Sequence, residues 1–162
     1  MAQGKTNAMR ILDTKKVSYQ ILTYDNKDGK IDGVSVAQKI NKEPRLVYKT
    51  LVAQGSNKEI FVFIIPVELE LDLKKAAKAA GEKKVEMIPV KDIQKWTGYI
   101  RGGCSPIGMK KAYATFIDES ASELETIVVS AGKIGLQLQM GIQDLQTVTD
   151  ASFEEITKSM NE

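Results

Sequence analysis

A lysine inside an apolar segment and a glycine-rich loop flanked by cations are the features of this chain best suited to chemistry. Lys49 lies in Arg45 to Ala53, which alternates as a strand and places Val47, Lys49 and Leu51 on one predicted face. An ammonium among such neighbours is costly unless it meets water or an acceptor. It therefore either lines a cleft or snorkels from an edge strand. The loop is Gly102-Gly103-Cys104-Ser105-Pro106. Its glycines let the backbone approach a ligand and leave N–H groups for an oxyanion, and its proline adds stiffness. A plain surface turn has the same composition. Arg101, Lys110 and Lys111 flank the loop, and three cations there can hold a phosphate or the end of a nucleotide chain.

The chain contains no histidine, so Ser-His-Asp and Cys-His arrangements are excluded and the usual catalytic zinc site lacks its ligands. Proton traffic must run through Lys, Tyr, carboxylates, Cys104, water or the substrate itself. Without an imidazole partner, the single cysteine, Cys104, reads as a small loop residue rather than a nucleophile. Ser130-Ala131-Gly132-Lys133-Ile134-Gly135 looks like a phosphate turn but lacks P-loop spacing, which argues against nucleotide hydrolysis. Lys74, Lys75, Lys78, Lys83 and Lys84 read first as a solvated helix face. Tyr24 and Asp144 stand at the ends of predicted elements and are uninformative singly.

These groups need a scaffold, and 162 residues with 43% hydrophobic and 27% charged content make one domain, 1–162. A net charge of +2 is too small to announce nucleic acid, so any RNA partner needs a local basic surface. One cysteine points to a reducing, cytoplasmic address. The longest apolar run, Ile60 to Val67, is eight residues, against the roughly 20 needed to cross a membrane. Met1 to Leu12 has no apolar core of a secretory signal.

Helices are expected over Thr6–Lys16, Ser35–Ile40, Asp72–Ala80, Val90–Trp96, Ser120–Leu124 and Ile142–Val148. Strands are expected over Val17–Tyr24, Arg45–Ala53, Ile60–Ile65, Val85–Ile88, Ala112–Ile117, Thr126–Val129 and Gly135–Met140. A turn is expected over Ser130–Gly135, one more helical turn over Asp150–Ile156, and no regular element between Tyr99 and Lys111. Ile60–Ile65, continuously apolar, is the expected central strand. Strands and helices alternate without a regular βαβ period, which makes the class α/β (α+β) with a mixed, curved, partly barrel-like sheet and surrounding helices.

The chain resembles the YbaK/EbsC family, the free-standing relatives of the editing domain in bacterial prolyl-tRNA synthetase. The resemblance is carried by Val-Tyr-Lys-Thr-Leu-Val around Lys49, the segment Leu71–Gly81, Lys-Lys-Val-Glu-Met at 83–87, Thr97–Gly108, Glu-Leu-Glu-Thr-Ile at 123–127 and Ser130–Gly135. It implies a deacylase that removes cysteine from mischarged Cys-tRNA(Pro), and possible action on Cys-tRNA(Cys), with prolyl-tRNA synthetase as partner and no cofactor, metal, DNA or membrane. It matches Lys49 to an essential lysine and Gly102, Gly103, Cys104, Ser105 and Pro106 to the active-site loop. Tyr24, Thr50, Arg101, Ser130, Gly132 and Asp144 are the expected substrate-binding residues. Several relatives carry histidines near the first strand, where this chain has Leu22 and Asn26. The family is thought to let the substrate's own thiol attack its ester, which requires no imidazole. The rival readings are an Ala-tRNA(Pro) hydrolase using activated water and a non-catalytic module that binds tRNA or synthetase.

Overall fold

The computed structural model describes residues 4–158, so both extremes of the expected 1–162 domain, with Met1–Gln3 of the segment Met1 to Leu12, lie outside the described residues. Helix α1 (Asn7–Thr14) begins where the Thr6 hydroxyl accepts the Met9 N–H at 3.2 Å, and it buries Ala8, Met9 and Leu12. Strand β1 (Tyr19–Thr23) leads by a loop to α2 (Gly33–Lys39), which starts two residues before the expected Ser35 and is capped by Asp32, whose carboxylate accepts the Ser35 N–H. Pro44 starts a 3₁₀ turn, Pro44–Leu46, so the strand expected from Arg45 is delayed and β2 spans Tyr48–Gly55. β3 (Ile60–Pro66) is buried at all seven positions and occupies the middle of its sheet, as its apolar run requires.

α3 (Leu73–Ala80) runs from Asp72, whose carboxylate accepts the Lys74 and Lys75 N–H groups, to Gly81 in the left-handed conformation. After it come β4 (Val85–Met87), a 3₁₀ turn Val90–Asp92 and α4 (Ile93–Thr97). The irregular stretch beyond α4 delivers the chain to β5 (Ala114–Asp118) and a 3₁₀ turn, Glu119–Glu123. β6 (Thr126–Lys133), β7 (Leu136–Gly141), α5 (Ile142–Thr149) and β8 (Ser152–Glu154) complete the described chain.

Two sheets result, ordered β1-β7-β6 and β4-β2-β3-β5-β8. The larger one is mixed: β2 is antiparallel to β3 and β4, whereas β3–β5 and β5–β8 are parallel. The sheets touch through a parallel bridge between Val47 and Val128, which sets β6 beside the start of β2 without closing a barrel. Between them, Tyr48, Ile64 and Ile117 of one sheet meet Ile127, Val129, Leu138 and Met140 of the other in the main core, roofed by α1 and α5. On the far face of the larger sheet, Phe61, Phe63 and Ile65 pack under Ala76 and Ala77 of α3.

Two local expectations fail. The tail is a strand, not a helical turn: Asp150 ends α5 at φ +54°, and β8 then pairs with Phe116–Asp118. Ser130 to Lys133 remains in β6, with a register irregularity between them, so only Ile134-Gly135 turns the chain.

Candidate functional site

β4 pairs with β2 only from Ala53 to Gly55, and β6 bridges the chain at Val47, the residue just before β2. Beyond the Ile88 N–H, which donates to the Val52 carbonyl at 3.2 Å, the edge of β2 from Tyr48 to Leu51 has no strand partner, and a cavity of about 380 Å³ opens there. Lys49, Thr50, Arg101, Gly102, Cys104 and Ser130 all line it. Ile31, Val36, Val67 and Ile88 supply apolar wall. Residues separated by more than 80 positions thus share one hollow, which the strand reading of Lys49 and the loop reading of Gly102 required jointly.

Lys49 is half-buried, and no hydrogen-bonding or ionic partner holds its ammonium among the described residues. Burial lowers its pKa from the ordinary 10.5, with Glu70 acting in the opposite direction. It is a cation held in partial want of water, suited to an electron-rich oxygen. The Thr50 hydroxyl is buried without a hydrogen-bond partner, and the Ser130 hydroxyl accepts the Gly132 N–H at 3.2 Å.

The loop is held by close packing. A Cβ on Gly102, at φ +85°, would stand 2.8 Å from Ile31 Cδ1, and one on Gly103 would stand 2.9 Å from the Ile134 nitrogen. The Gly103 N–H donates to the Ile100 carbonyl at 3.0 Å, which removes it from the expected set of oxyanion donors. The N–H groups of Gly102 and Cys104 have no such partner among the described residues. Cys104 packs beside Val52, Ile60 and Ile88, and burial raises its thiol pKa to about 11. At neutral pH it is a protonated, poorly nucleophilic thiol.

Other expected residues stand apart from this cavity. Ser105 is fully buried and its hydroxyl accepts the Ile107 N–H at 3.3 Å, a local turn contact rather than a cavity group. Pro106 borders a separate hollow shared with Ile11, Lys110 and Tyr113. Gly132, at φ +102°, lets the backbone pass the Tyr99 ring, where a Cβ would come within 2.9 Å. Asp144 is exposed on the first turn of α5 and does not line the cavity. Tyr24 does not line it either; its ring sits 6.0 Å from the Lys39 ammonium and its buried hydroxyl has no hydrogen-bond partner.

Gln137 lines the cavity and is only 6% exposed, yet its side chain makes no hydrogen bond among the described residues. Sequence reasoning missed it because the alternation Leu136, Leu138, Met140 assigns Gln137 to the outer face of β7. A mostly buried glutamine in the cavity wall, with no protein partner for its amide, is the signal that finds it, and only coordinates reveal that. No helix among the described residues is long and apolar enough to cross a membrane.

A protein of Enterococcus faecalis bearing the provisional name Cys-tRNA(Pro)/Cys-tRNA(Cys) deacylase EbsC is 45% identical over 155 residues, covering 96% of this chain and 94% of that protein. A proline–tRNA ligase of Brachyspira hyodysenteriae is 27% identical over 93 residues, 57% of this chain and 16% of the ligase. Among solved structures, one described provisionally as a trans-editing enzyme for prolyl tRNA synthetase superposes with TM-score 0.83 at 19% identity, covering 97% of this chain and all of its own. A hypothetical protein reaches TM-score 0.86 at 15% identity over 94% of this chain and all of its own. The last two speak for the fold. The model of the aminoacyl-tRNA editing domain matches residues 32–148, which contain the β2 edge, the glycine loop and Gln137, and the chain belongs to that family.

Proposed function

We propose that this chain is a single-domain, cytoplasmic trans-editing deacylase that frees tRNA(Pro) from wrongly attached cysteine, working beside prolyl-tRNA synthetase. The observation that carries the reading is the shared cavity: Lys49, half-buried with no ionic partner, the loop residues Gly102 and Cys104, whose N–H groups are unengaged among the described residues, and an apolar wall line one space of about 380 Å³. The 45% identical relative, named for the same substrates, supports it.

The chemistry follows from what the cavity lacks. With no histidine and with Cys104 protonated, the protein supplies neither an imidazole-activated nucleophile nor a thiolate near neutrality. The substrate brings one. Its cysteine sulfur attacks its own ester carbon, forming a C–S bond; the C–O bond to the terminal ribose breaks, and the thiol proton passes to the departing ribose oxygen. The products are tRNA with a free 3′ end and a cyclic thiolactone, which water opens to cysteine. Held in a reactive geometry, such an internal nucleophile has an effective molarity on the order of 10⁵ M or more. Lys49 and the N–H groups of Gly102 and Cys104 stabilise the oxyanion that forms.

Deacylation of Cys-, Ala- and Pro-charged tRNA(Pro), with and without the synthetase, tests this. Rapid cleavage confined to the cysteine ester, with a trapped thiolactone, is the expected result. Efficient Ala-tRNA(Pro) cleavage would instead assign activated water, and no cleavage at all would leave a binding module.

A further inference from the structure

The net charge of +2 conceals a separation. Residues 118–155 hold eight carboxylates against the single cation Lys133, whereas residues 87–113 hold five cations against Asp92 alone. The second stretch is the wall that runs from the end of β4 through α4 and the glycine loop. Three of its apolar side chains face solvent: Met87 is 43% exposed, Val90 54% and Ile100 49%. Met87 and Val90 also line the cavity, so they mark where it opens to water, and Ile100 precedes the lining residue Arg101. Lys91 and Lys95 project from the same 3₁₀ turn and helix, and Lys110 is tied to them through its bond to the Lys95 carbonyl at 3.2 Å. The ion pairs among the described residues involve none of these cations.

Exposed apolar side chains fringed by unpaired cations are the combination that a single-stranded nucleic acid meets, because base faces seek apolar surface and phosphates seek positive charge. A double-stranded stem, with its base faces hidden, would use only the lysines. We infer that this rim is the landing surface for the unpaired 3′ end of an RNA, with bases lying over Met87, Val90 and Ile100 and phosphates against Lys91, Lys95 and Lys110. The inference rests on the deacylase reading for its substrate, and it explains how a chain of small net charge gathers a polyanion.

Fluorescence anisotropy with a labelled single-stranded RNA dodecamer ending in CCA tests it, using wild type, the double variant Lys91→Glu/Lys95→Glu, and Val90→Ser. The double variant is expected to bind at least about tenfold more weakly, with a log–log salt slope smaller by about 1.4, two phosphate contacts at roughly 0.7 each. Val90→Ser is expected to weaken binding with the slope unchanged. Cleavage of a cysteinyl ester of adenosine, too short to reach the rim, should match wild type in the double variant, while KM for charged tRNA rises about tenfold.

RNA binding indifferent to all three positions overturns the surface, even if the ester is cleaved. A wild type that cleaves no ester yet binds RNA through these residues overturns the reaction and leaves the surface standing. Loss of only a synthetase-dependent stimulation overturns the RNA assignment and makes the rim a protein contact.

Discussion

Gly103 and Ile134 stand in backbone contact, so close that a Cβ on Gly103 would lie 2.9 Å from the Ile134 nitrogen and 3.1 Å from Lys133 Cα. The glycine loop is thereby pinned to the β6–β7 turn, and Ile31 presses on Gly102 beside it. Its position relative to Lys49 is set by packing, which matters for the proposed reaction, since that depends on holding one conformer of a bound ester.

Gly103→Ala should therefore push the loop from its seat. Overpacking of about 1–3 kcal/mol translates to a fall in Tm of roughly 3–8 °C. Cysteinyl ester cleavage should drop at least about tenfold. Gly4→Ala, with nothing within 4 Å of the added carbon, is the control and should leave both thermal melting and kinetics unchanged.

Lys49 predicts opposite effects on stability and activity. Burial lowers its pKa in the folded chain, so the unfolded chain binds more protons and the lysine costs stability below its folded pKa. That cost disappears as pH rises from the folded pKa towards 10.5. Lys49→Met should melt about 1–3 °C higher than wild type at pH 7, lose that advantage by pH 10.5, and cleave no cysteinyl ester. A variant less stable at pH 7 would show that the ammonium is satisfied in the fold.

Cys104, the only cysteine, gives a direct readout of its surroundings. With a pKa of about 11 instead of 9.0, its thiolate fraction near neutrality is about a hundredfold below that of an ordinary thiol. Iodoacetamide labelling should accelerate about tenfold per pH unit up to pH 10, with no plateau near pH 9. Cys104→Ala should keep deacylation within about threefold of wild type, and a dead variant would place the nucleophile on the protein.

Gln137→Leu should leave Tm nearly unchanged, because the amide has no protein partner to lose. If the amide bonds the substrate, removing it costs about 1 kcal/mol, or about fivefold in KM for Cys-tRNA(Pro). Steady-state kinetics with unchanged KM would leave Gln137 outside the binding set.

Asp118 tests the frame independently of the site. It is 3% exposed, and its carboxylate accepts the Ser120 hydroxyl at 2.6 Å and the Ile156 N–H and Thr157 hydroxyl at 3.3 and 3.2 Å. Asp118→Ala should cost about 2–3 kcal/mol and lower Tm by roughly 5–10 °C. At a temperature where the variant stays folded, ester kinetics should match wild type.

Where local chemistry dominates, the sequence was readable. Asp72 with Gly81, the apolar run Ile60–Ile65 and the breakers between Tyr99 and Lys111 each dictate their own element, and each formed as its composition requires. The convergence of Lys49 with the Gly102 loop was legible through the family resemblance and not through spacing. Long-range pairing decided the rest. Ser152–Glu154 becomes a strand because β5 offers it an edge. Ser105, Pro106, Gly132 and Asp144 carry suitable atoms in suitable segments, but their directions depend on tertiary packing. Gln137 was obscured because its strand's outer face is covered by the cavity instead of by bulk water.

The parallel partnership of β3 with β5 has a consequence for motion. Two parallel neighbours need a long connection, and here that excursion, residues 67–113, contains α3, β4, α4 and the whole glycine loop. One flank of the cavity is thus suspended between two anchored strands. Past Ile88, the last residue bonded to β2, no strand pairing holds it until β5, so amide protons of 89–113 should exchange through local openings before those of β3. The cavity can thus widen on that side without parting β3 from β5.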